Sequence, residues 1–150
     1  MNLMRTTLSV LLASATLGFG SIDFLEQRFY EEESFTRISE YFTGVEVSGN
    51  RIIIRSDPEH RTGHYITFQL SGNHSIDHFK LEVYEFGEKE PKDYLFNSDT
   101  PVTANQPIFL GLTGGIWGEK LNPPVAYKLS IIGTAGNTIE SATSFLWGDD

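Results

Sequence analysis

The stretch that decides the fold is residues 126–147, which read AYKLSIIGTAGNTIESATSFLW. Residues 127–132 alternate in side-chain character with the period of two that is typical of a β-strand. The segment 133–137 interrupts this pattern, and its Gly136 and Asn137 tolerate the positive φ that a short loop often requires. Residues 138–147 then resume in β-favouring Thr, Ile, Phe and Trp. The stretch therefore predicts a β-hairpin.

The second strand of this hairpin has large apolar residues on both of its faces. Ile139 and Trp147 share one parity, whereas Leu146 falls on the other. We therefore expect one of two arrangements. Either a bulge near Ser141 switches the register of the strand, or other parts of the chain pack on both of its faces. Because an isolated hairpin is only marginally stable, the rest of the chain must supply that cover. If both faces of the strand are covered, we expect residues 22–44 to act as the lid that packs over the hairpin.

Outside the hairpin, segments with strand character are short and are separated by turn residues. They are residues 51–55, 64–70, 79–86, 93–97 and 108–113. Together with the two hairpin strands they predict an all-β protein, an antiparallel β-sandwich of about seven strands formed by residues 45–150.

The strand spacing over residues 45–147, closed by the hairpin, resembles that of immunoglobulin-like and fibronectin type III-like domains. The resemblance is architectural. The chain has no cysteine and so lacks the Cys…Trp…Cys framework of true immunoglobulin domains. Because sandwiches host many unrelated functions, the resemblance implies a fold and no particular activity.

The first 20 residues have the pattern of a secretory signal peptide. Arg5 supplies a positive charge, and the apolar and small residues 6–19 follow it without interruption. We expect cleavage after Gly20, or alternatively after Ala15, because both sites place small residues where a signal peptidase requires them. The run is short for a membrane-spanning helix, so we expect no stable membrane insertion after cleavage. The predicted location is periplasmic or extracellular.

Charge and cysteine content restrict the partners. Twenty acidic residues against 11 basic ones give a net charge of −9, which the loss of Arg5 would make one unit more negative. Such a surface repels nucleic acid and anionic lipid, so neither is expected as a partner. An exported chain without cysteine has no disulfides, and its stability must come from its core.

Residues 21–44 form a separate N-terminal segment that we expect to pack on the sandwich. Aromatic and apolar residues, Phe35 and Phe42 among them, recur there at intervals of three and four, which predicts a short helical segment. Ser34 is a candidate N-cap, and Gly44 is a candidate left-handed residue at the C-terminal end. An extended N-terminal strand is the alternative, because aromatic residues also favour strands.

Three residues are candidates for ligand binding. Asp57 and Arg61 lie in SDPEHRTG, where Asp57 is expected to cap a turn and Arg61 to pair with it. The alternative is that this exposed loop contacts a ligand. Trp117 lies in the glycine-rich segment GLTGGIWGEK, where we expect an exposed ring able to stack on a sugar. Lys120-Leu121 lacks the hydroxyl of a phosphate-binding loop, so no nucleotide cofactor is predicted.

The four histidines form two pairs, His60 with His64 and His74 with His78, each four residues apart. This spacing brings imidazoles together only on a helix, and these pairs fall in loops and at strand starts. We therefore expect solvated or locally hydrogen-bonded histidines, and no metal site.

These observations favour a non-catalytic binding or structural accessory module with an unidentified protein or glycan partner. No G-x-S-x-G motif and no cysteine nucleophile is present in the sequence. The second hypothesis is a secreted carbohydrate-binding domain that uses Trp117 and the adjacent loops. The third is a small secreted hydrolase, for which the many acidic residues offer possible carboxylate pairs.

Overall fold

A computed structural model describes residues 22–148, which form two four-stranded β-sheets packed face to face. This confirms the all-β sandwich. The predicted signal peptide and both of its cleavage sites lie outside the described residues. The strands are β1 (Ile22–Tyr30), β2 (Ile52–Arg55), β3 (Gly63–Leu70), β4 (Ile76–Tyr84), β5 (Lys92–Phe96), β6 (Ile108–Thr113), β7 (Ala126–Gly133) and β8 (Thr138–Thr143). The helical segments are α1 (Glu40–Thr43) and two short 3₁₀ turns, Glu32–Ser34 and Gly115–Gly118.

The first sheet has the strand order β1-β3-β6-β2, and the second has the order β5-β4-β7-β8. Neighbouring strands are antiparallel except for β2 and β6, which are parallel. The antiparallel prediction is therefore right for every pair but this one. A parallel pair arises here because the long connection from β1 returns β2 to the far edge of its sheet. The resemblance to immunoglobulin and fibronectin type III domains stays a prediction.

The core lies between the inner faces of the two sheets. Large apolar side chains alternate inward along each strand, as the period of two predicts for β4, where Phe79, Leu81 and Val83 are buried. The rings of Phe68 in β3 and Phe79 in β4 meet across the interface, with centroids 5.6 Å apart and an edge-on geometry. With no cysteine in the chain, this packing is what holds the sheets together.

The predicted hairpin is present as β7 and β8, and it contains a bulge. The register shifts between Ile131, which pairs with Glu140, and Ile132, which pairs with Thr138, so that Ile139 is the extra residue. The bulge thus lies two residues nearer the turn than the expected position at Ser141. Its effect is to let Ile139 pack against the core from the edge strand.

The second strand of the hairpin ends at Thr143 and does not reach Trp147. The Trp147 N–H donates to the Ser144 carbonyl at 3.1 Å, so the chain turns after the strand. This turn exposes Phe145 and packs the Trp147 ring on Tyr84, with centroids 5.3 Å apart. The prediction that the second strand of the hairpin extends over residues 138–147 is therefore wrong for residues 144–147.

In the N-terminal segment, the helical prediction is wrong over residues 22–30, and the alternative of an extended N-terminal strand is confirmed there. Residues 22–30 form strand β1 and not a helix, because pairing with β3 satisfies their backbone groups and outweighs weak helical spacing. β1 joins the first sheet; a lid over the hairpin is expected only as the alternative to a bulge, and the bulge is present. Helix is confined to α1, whose N-cap position is Ser39 and not Ser34. Gly44 ends it with a φ of 72°, as predicted.

Residues 31–50, which we call the strap, cross the outer face of the first sheet. Phe35 is buried near the start of the strap against Tyr30, Tyr65 and Phe109, with ring centroids 5.6, 4.9 and 6.4 Å away. These three rings belong to β1, β3 and β6. Because the strap covers its outer face, β3 is buried on both sides. Within residues 22–148, no helix has the length and apolar character needed to cross a membrane.

Candidate functional site

The strap is fixed to the sheet by charged groups as well as by Phe35. Arg55 on β2 donates to both carboxylate oxygens of Glu46, at 2.7 and 2.9 Å, and through Nε to the Tyr65 hydroxyl at 2.7 Å. Its guanidinium carbon also lies 4.8 Å from the centre of the Phe35 ring. A planar guanidinium that pairs in two places and stacks on a ring holds its partners in one geometry. Arg55 therefore joins both ends of the strap to the sheet.

A second ion pair connects the helix of the strap to the loop after β2. Arg61 donates to the Glu40 carboxylate, and its Nε lies 3.9 Å from Glu46. The hydrogen bond from Arg61 lowers the pKa of Glu40, and the hydrogen bond from Arg55 lowers the pKa of Glu46. Both carboxylates are thus ionised at neutral pH, and α1 is oriented with its acidic side toward the sheet.

We expect the strap to loosen in acid. Arg55 holds the pKa of Glu46 in the folded state below its usual value of 4.5, so the stabilisation by this pair is fully present above that pH. It is lost as the pH falls through the lowered pKa. Glu46→Gln should reduce the free energy of unfolding by about 1–2 kcal/mol at neutral pH, since the carboxylate is partly solvated. Chemical denaturation at about pH 7 and about pH 3 measures both quantities.

The matched control is Glu26→Gln, because Glu26 is exposed and lies 3.9 Å from Arg28 in a solvent-facing pair. This change should leave stability within about 0.5 kcal/mol of the wild type. The Glu46→Gln protein should lose less stability between the two pH values than the wild type does. Equal losses would show that Glu46 does not contribute to acid sensitivity.

The outer side of the strap is apolar and faces solvent. Ile38, Tyr41, Phe42 and Val45 have exposed fractions of 78%, 79%, 85% and 65%. Tyr41 and Phe42 lie in α1, Ile38 lies in the turn before it, and Val45 follows Gly44, which ends the helix. Glu40 lies on the opposite side, where it binds Arg61. We call these four side chains the strap face.

The residues predicted in the loop after β2 do not form a joint site. Asp57 caps its turn as expected, accepting the Glu59 N–H at 3.0 Å and lying 2.9 Å from His60 Nδ1. The predicted pairing of Arg61 with Asp57 is wrong, because Arg61 turns instead to the carboxylates of the strap. Arg61 thus holds the strap, while Asp57 organises its own loop.

The exposed tryptophan predicted in the glycine-rich segment is wrong. Trp117 is only 5% exposed, and its ring lies 6.2 Å from those of both His64 and Tyr94. Gly114 and Gly115 adopt φ values of 77° and 52°, which let the segment tighten into a 3₁₀ turn that directs the indole inward. A buried ring offers no face for a sugar to stack on.

Trp117 is also held by hydrogen bonds. Its Nε1 donates to the Tyr94 hydroxyl at 3.2 Å, which in turn donates to Glu85 at 2.9 Å. Burial raises the pKa of Tyr94 to about 12, so its hydroxyl keeps its proton at neutral pH. The chain of donors from Trp117 to Glu85 satisfies the polar atom that a buried indole brings with it.

Two of the four histidines make local contacts, whereas His64 departs from the expectation of solvated or locally hydrogen-bonded side chains. His60 bonds Asp57, and His78 Nδ1 lies 2.7 Å from Asp77 Oδ2, as the expectation of locally hydrogen-bonded residues requires. His64 is buried and donates through Nε2 to the Glu119 carbonyl at 2.8 Å. Its burial lowers its pKa. Among the residues that the structure describes, no group of three or more His, Cys, Asp or Glu is placed to hold a metal ion.

Sequence reasoning missed the strap face and its attachment. The helical spacing of Ile38 and Phe42 is visible in the sequence, but it predicts a face packed on the sandwich. In the structure that face is exposed to solvent, and Phe35 is the buried apolar residue that attaches the strap to the sheet. The only local signal for this arrangement is Glu40, which interrupts the apolar run with a charge that requires a cationic partner.

Comparison with known proteins adds no family and no relative. No protein-family model matches the chain, no curated protein matches it, and no solved structure matches it.

Proposed function

We propose that this protein is an exported, non-catalytic binding module that docks onto a partner protein through the strap face. The observation that carries the proposal is the exposure of four large apolar side chains, Ile38, Tyr41, Phe42 and Val45, within the short segment around α1. Large apolar side chains that lie together in water mark interaction surfaces. Aromatic residues are enriched in the buried centres of such interfaces. Export is supported by the signal-peptide pattern of residues 1–20.

A protein partner suits the charge of the chain better than a membrane or a nucleic acid does. The net charge is −9, and the exposed acidic run Glu31, Glu32 and Glu33 begins the strap. Anionic lipid and nucleic acid are repelled by such a surface. We propose a partner with an apolar groove bordered by basic residues, which would accept one turn of helix in the way that amphipathic helices are generally bound.

The contacts that attach the strap to the sheet favour a high affinity between the small strap face and its partner protein. Phe35, the Glu46 pair with Arg55 and the Glu40 pair with Arg61 all lie on the sheet side of the strap. They restrict the backbone before any partner arrives, so binding would order few further groups. The apolar side chains are thereby presented in the geometry in which they would be bound.

Site-specific photocrosslinking tests the proposal. A benzophenone amino acid replaces Phe42 in cells that naturally make the protein, and the crosslinked partner is identified by mass spectrometry. The matched control is the same replacement at Phe86, which has the same exposed fraction of 85% but lies after β4, away from the strap. We expect one defined protein adduct at Phe42 and none of that mass at Phe86.

Competition establishes that the adduct depends on the strap face. Excess purified wild-type protein and excess Phe86→Asp protein should both suppress the crosslink at Phe42. Excess Phe42→Asp protein should be at least about tenfold less effective, because losing a central aromatic contact commonly costs more than 1 kcal/mol in binding. Identical adducts at Phe42 and Phe86, or equal competition by both variants, would contradict the proposal.

A further inference from the structure

Strand β2 has an unpaired side. It is the last strand of its sheet and pairs only with β6. The Ile52 N–H donates to the Pro107 carbonyl at 2.9 Å, and the Ser56 N–H donates to the Gly111 carbonyl at 2.8 Å. Because a parallel strand alternates the side on which it bonds, the backbone groups of Ile53 and Arg55 point away from β6. Such an edge can pair with a further strand.

The open side of β2 borders a groove with a volume of about 670 Å³. Its other wall is the connection between β5 and β6, where Asn97, Thr100 and Pro101 line it. This volume falls within the range of about 300–1,000 Å³ that is usual for ligand sites. The groove therefore leaves room for an extended chain beside Ile53 and Arg55.

One end of the groove carries positive charge in an otherwise acidic protein. Arg51 precedes β2, its Nε donates to the Ser48 carbonyl at 3.0 Å, and its guanidinium carbon lies 5.5 Å from the centre of the Phe109 ring. Arg37 reaches the same place, since a Cβ on Gly49 would lie 3.9 Å from its Nη2. Burial and the charge of Arg37 both lower the pKa of Arg51.

These two arginines differ from the other two on this face of the sheet. Arg55 and Arg61 are paired with Glu46 and Glu40. Over residues 22–148, by contrast, neither Arg37 nor Arg51 has a carboxylate within ion-pair distance. Glu46 acts on Arg51 from a longer distance, but two adjacent guanidinium groups with no carboxylate in direct contact still favour the approach of an anion.

We propose that β2 binds an extended acidic peptide segment of a partner protein by strand addition, with a carboxylate of the peptide against Arg37 and Arg51. The backbone of Ile53 and Arg55 supplies the hydrogen bonds, and the arginines select the charge. This site uses none of the four side chains of the strap face and does not depend on the proposed function.

A second copy of this chain fits the site poorly. An antiparallel pair of β2 strands centred on Ile53 would place Arg51 opposite the second copy's Arg55. Because that Arg55 is already paired with Glu46, the second copy would offer Arg51 no free carboxylate. The charge pattern thus favours an acidic segment of a different protein.

Selection from a displayed library of random linear peptides, each about nine residues long, tests the proposal. The purified protein is the bait, and enriched peptides are resynthesised with a fluorescent label for anisotropy titration. We expect enriched sequences that alternate β-favouring residues and contain at least one Asp or Glu. Affinity should fall with added salt because an ion pair contributes to it.

Three variants locate the site. Ile53→Pro removes an outward N–H without removing a bond to β6, and Pro is tolerated on edge strands, so binding should weaken by at least about tenfold. Arg37→Glu with Arg51→Glu should have an effect of similar size. Arg28→Glu is the control, because Arg28 lies on β1 at the opposite edge of the same sheet and should leave affinity unchanged.

A measurement on the unaltered protein keeps the test independent of how Ile53→Pro folds. Hydrogen exchange at the Ile53 and Arg55 amides should slow when a selected peptide binds, since both become bonded. Enrichment without acidic residues, unchanged exchange at these two amides, or equal weakening by Arg28→Glu would each overturn the proposal.

Discussion

Ile131→Asp is expected to abolish cooperative folding of this domain. Ile131 lies in β7, is 1% exposed and faces the core between the sheets. Its neighbours across the strand pairs are Phe79 in β4 and Glu140 in β8, so a carboxylate at this position would lack a cation and would face a like charge. Burying an unpaired charge costs more than about 4 kcal/mol, against a total stability of about 5–15 kcal/mol for most domains.

Thermal unfolding followed by far-ultraviolet circular dichroism measures this effect. The wild type should give a β-rich spectrum and a single transition, and the Ile131→Asp protein should show neither at room temperature. Ile132→Asp is the matched control, because Ile132 is the next residue and points to the outer face of the same strand. A transition in the Ile131→Asp protein close to that of the Ile132→Asp protein would show that the two faces of β7 had been assigned wrongly.

The faces of the strands could be predicted from the sequence because they follow from a local period. All of β2 to β8 lie where alternating or β-favouring runs occur between turn residues, and the inward residues of β4 are those that the period assigns. What the period does not contain is the partner of each strand. The parallel pairing of β2 with β6 and the place of β1 beside β3 depend on contacts between distant segments.

The direction in which a side chain points in an irregular segment also depends on distant residues. Trp117 follows three glycines, a context that suggests an exposed loop, yet Tyr94 and His64 on other strands provide a site that buries it. Arg61 has Asp57 four residues away, yet it pairs with Glu40 because the strap brings that carboxylate to it. In both cases a nonlocal partner outweighs the local one.

Phe35→Ala is expected to release the strap. The Phe35 ring is 1% exposed and contacts Tyr30, Tyr65 and Phe109, with the guanidinium of Arg55 on its face. Removing such a ring leaves a cavity and commonly costs about 3–5 kcal/mol. The strap should lose stability first, because Phe35 is the only fully buried apolar side chain among its residues 31–50, all of which the structure describes. Hydrogen exchange should therefore accelerate at Gly44, whose N–H bonds the Glu40 carbonyl, more than at amides of β7.

Phe42→Ala provides a control of the same chemistry in the same segment. Phe42 is exposed on the strap face, so the free energy of unfolding should change by less than about 0.5 kcal/mol. Both variants should nevertheless bind the partner protein more weakly than the wild type does. Phe42→Ala would remove a contact with the partner protein, and Phe35→Ala would remove the geometry in which that contact is presented. If Phe35→Ala were as harmless to stability as Phe42→Ala, the strap would not be anchored by this ring, and the preorganised strap face would lose its physical basis.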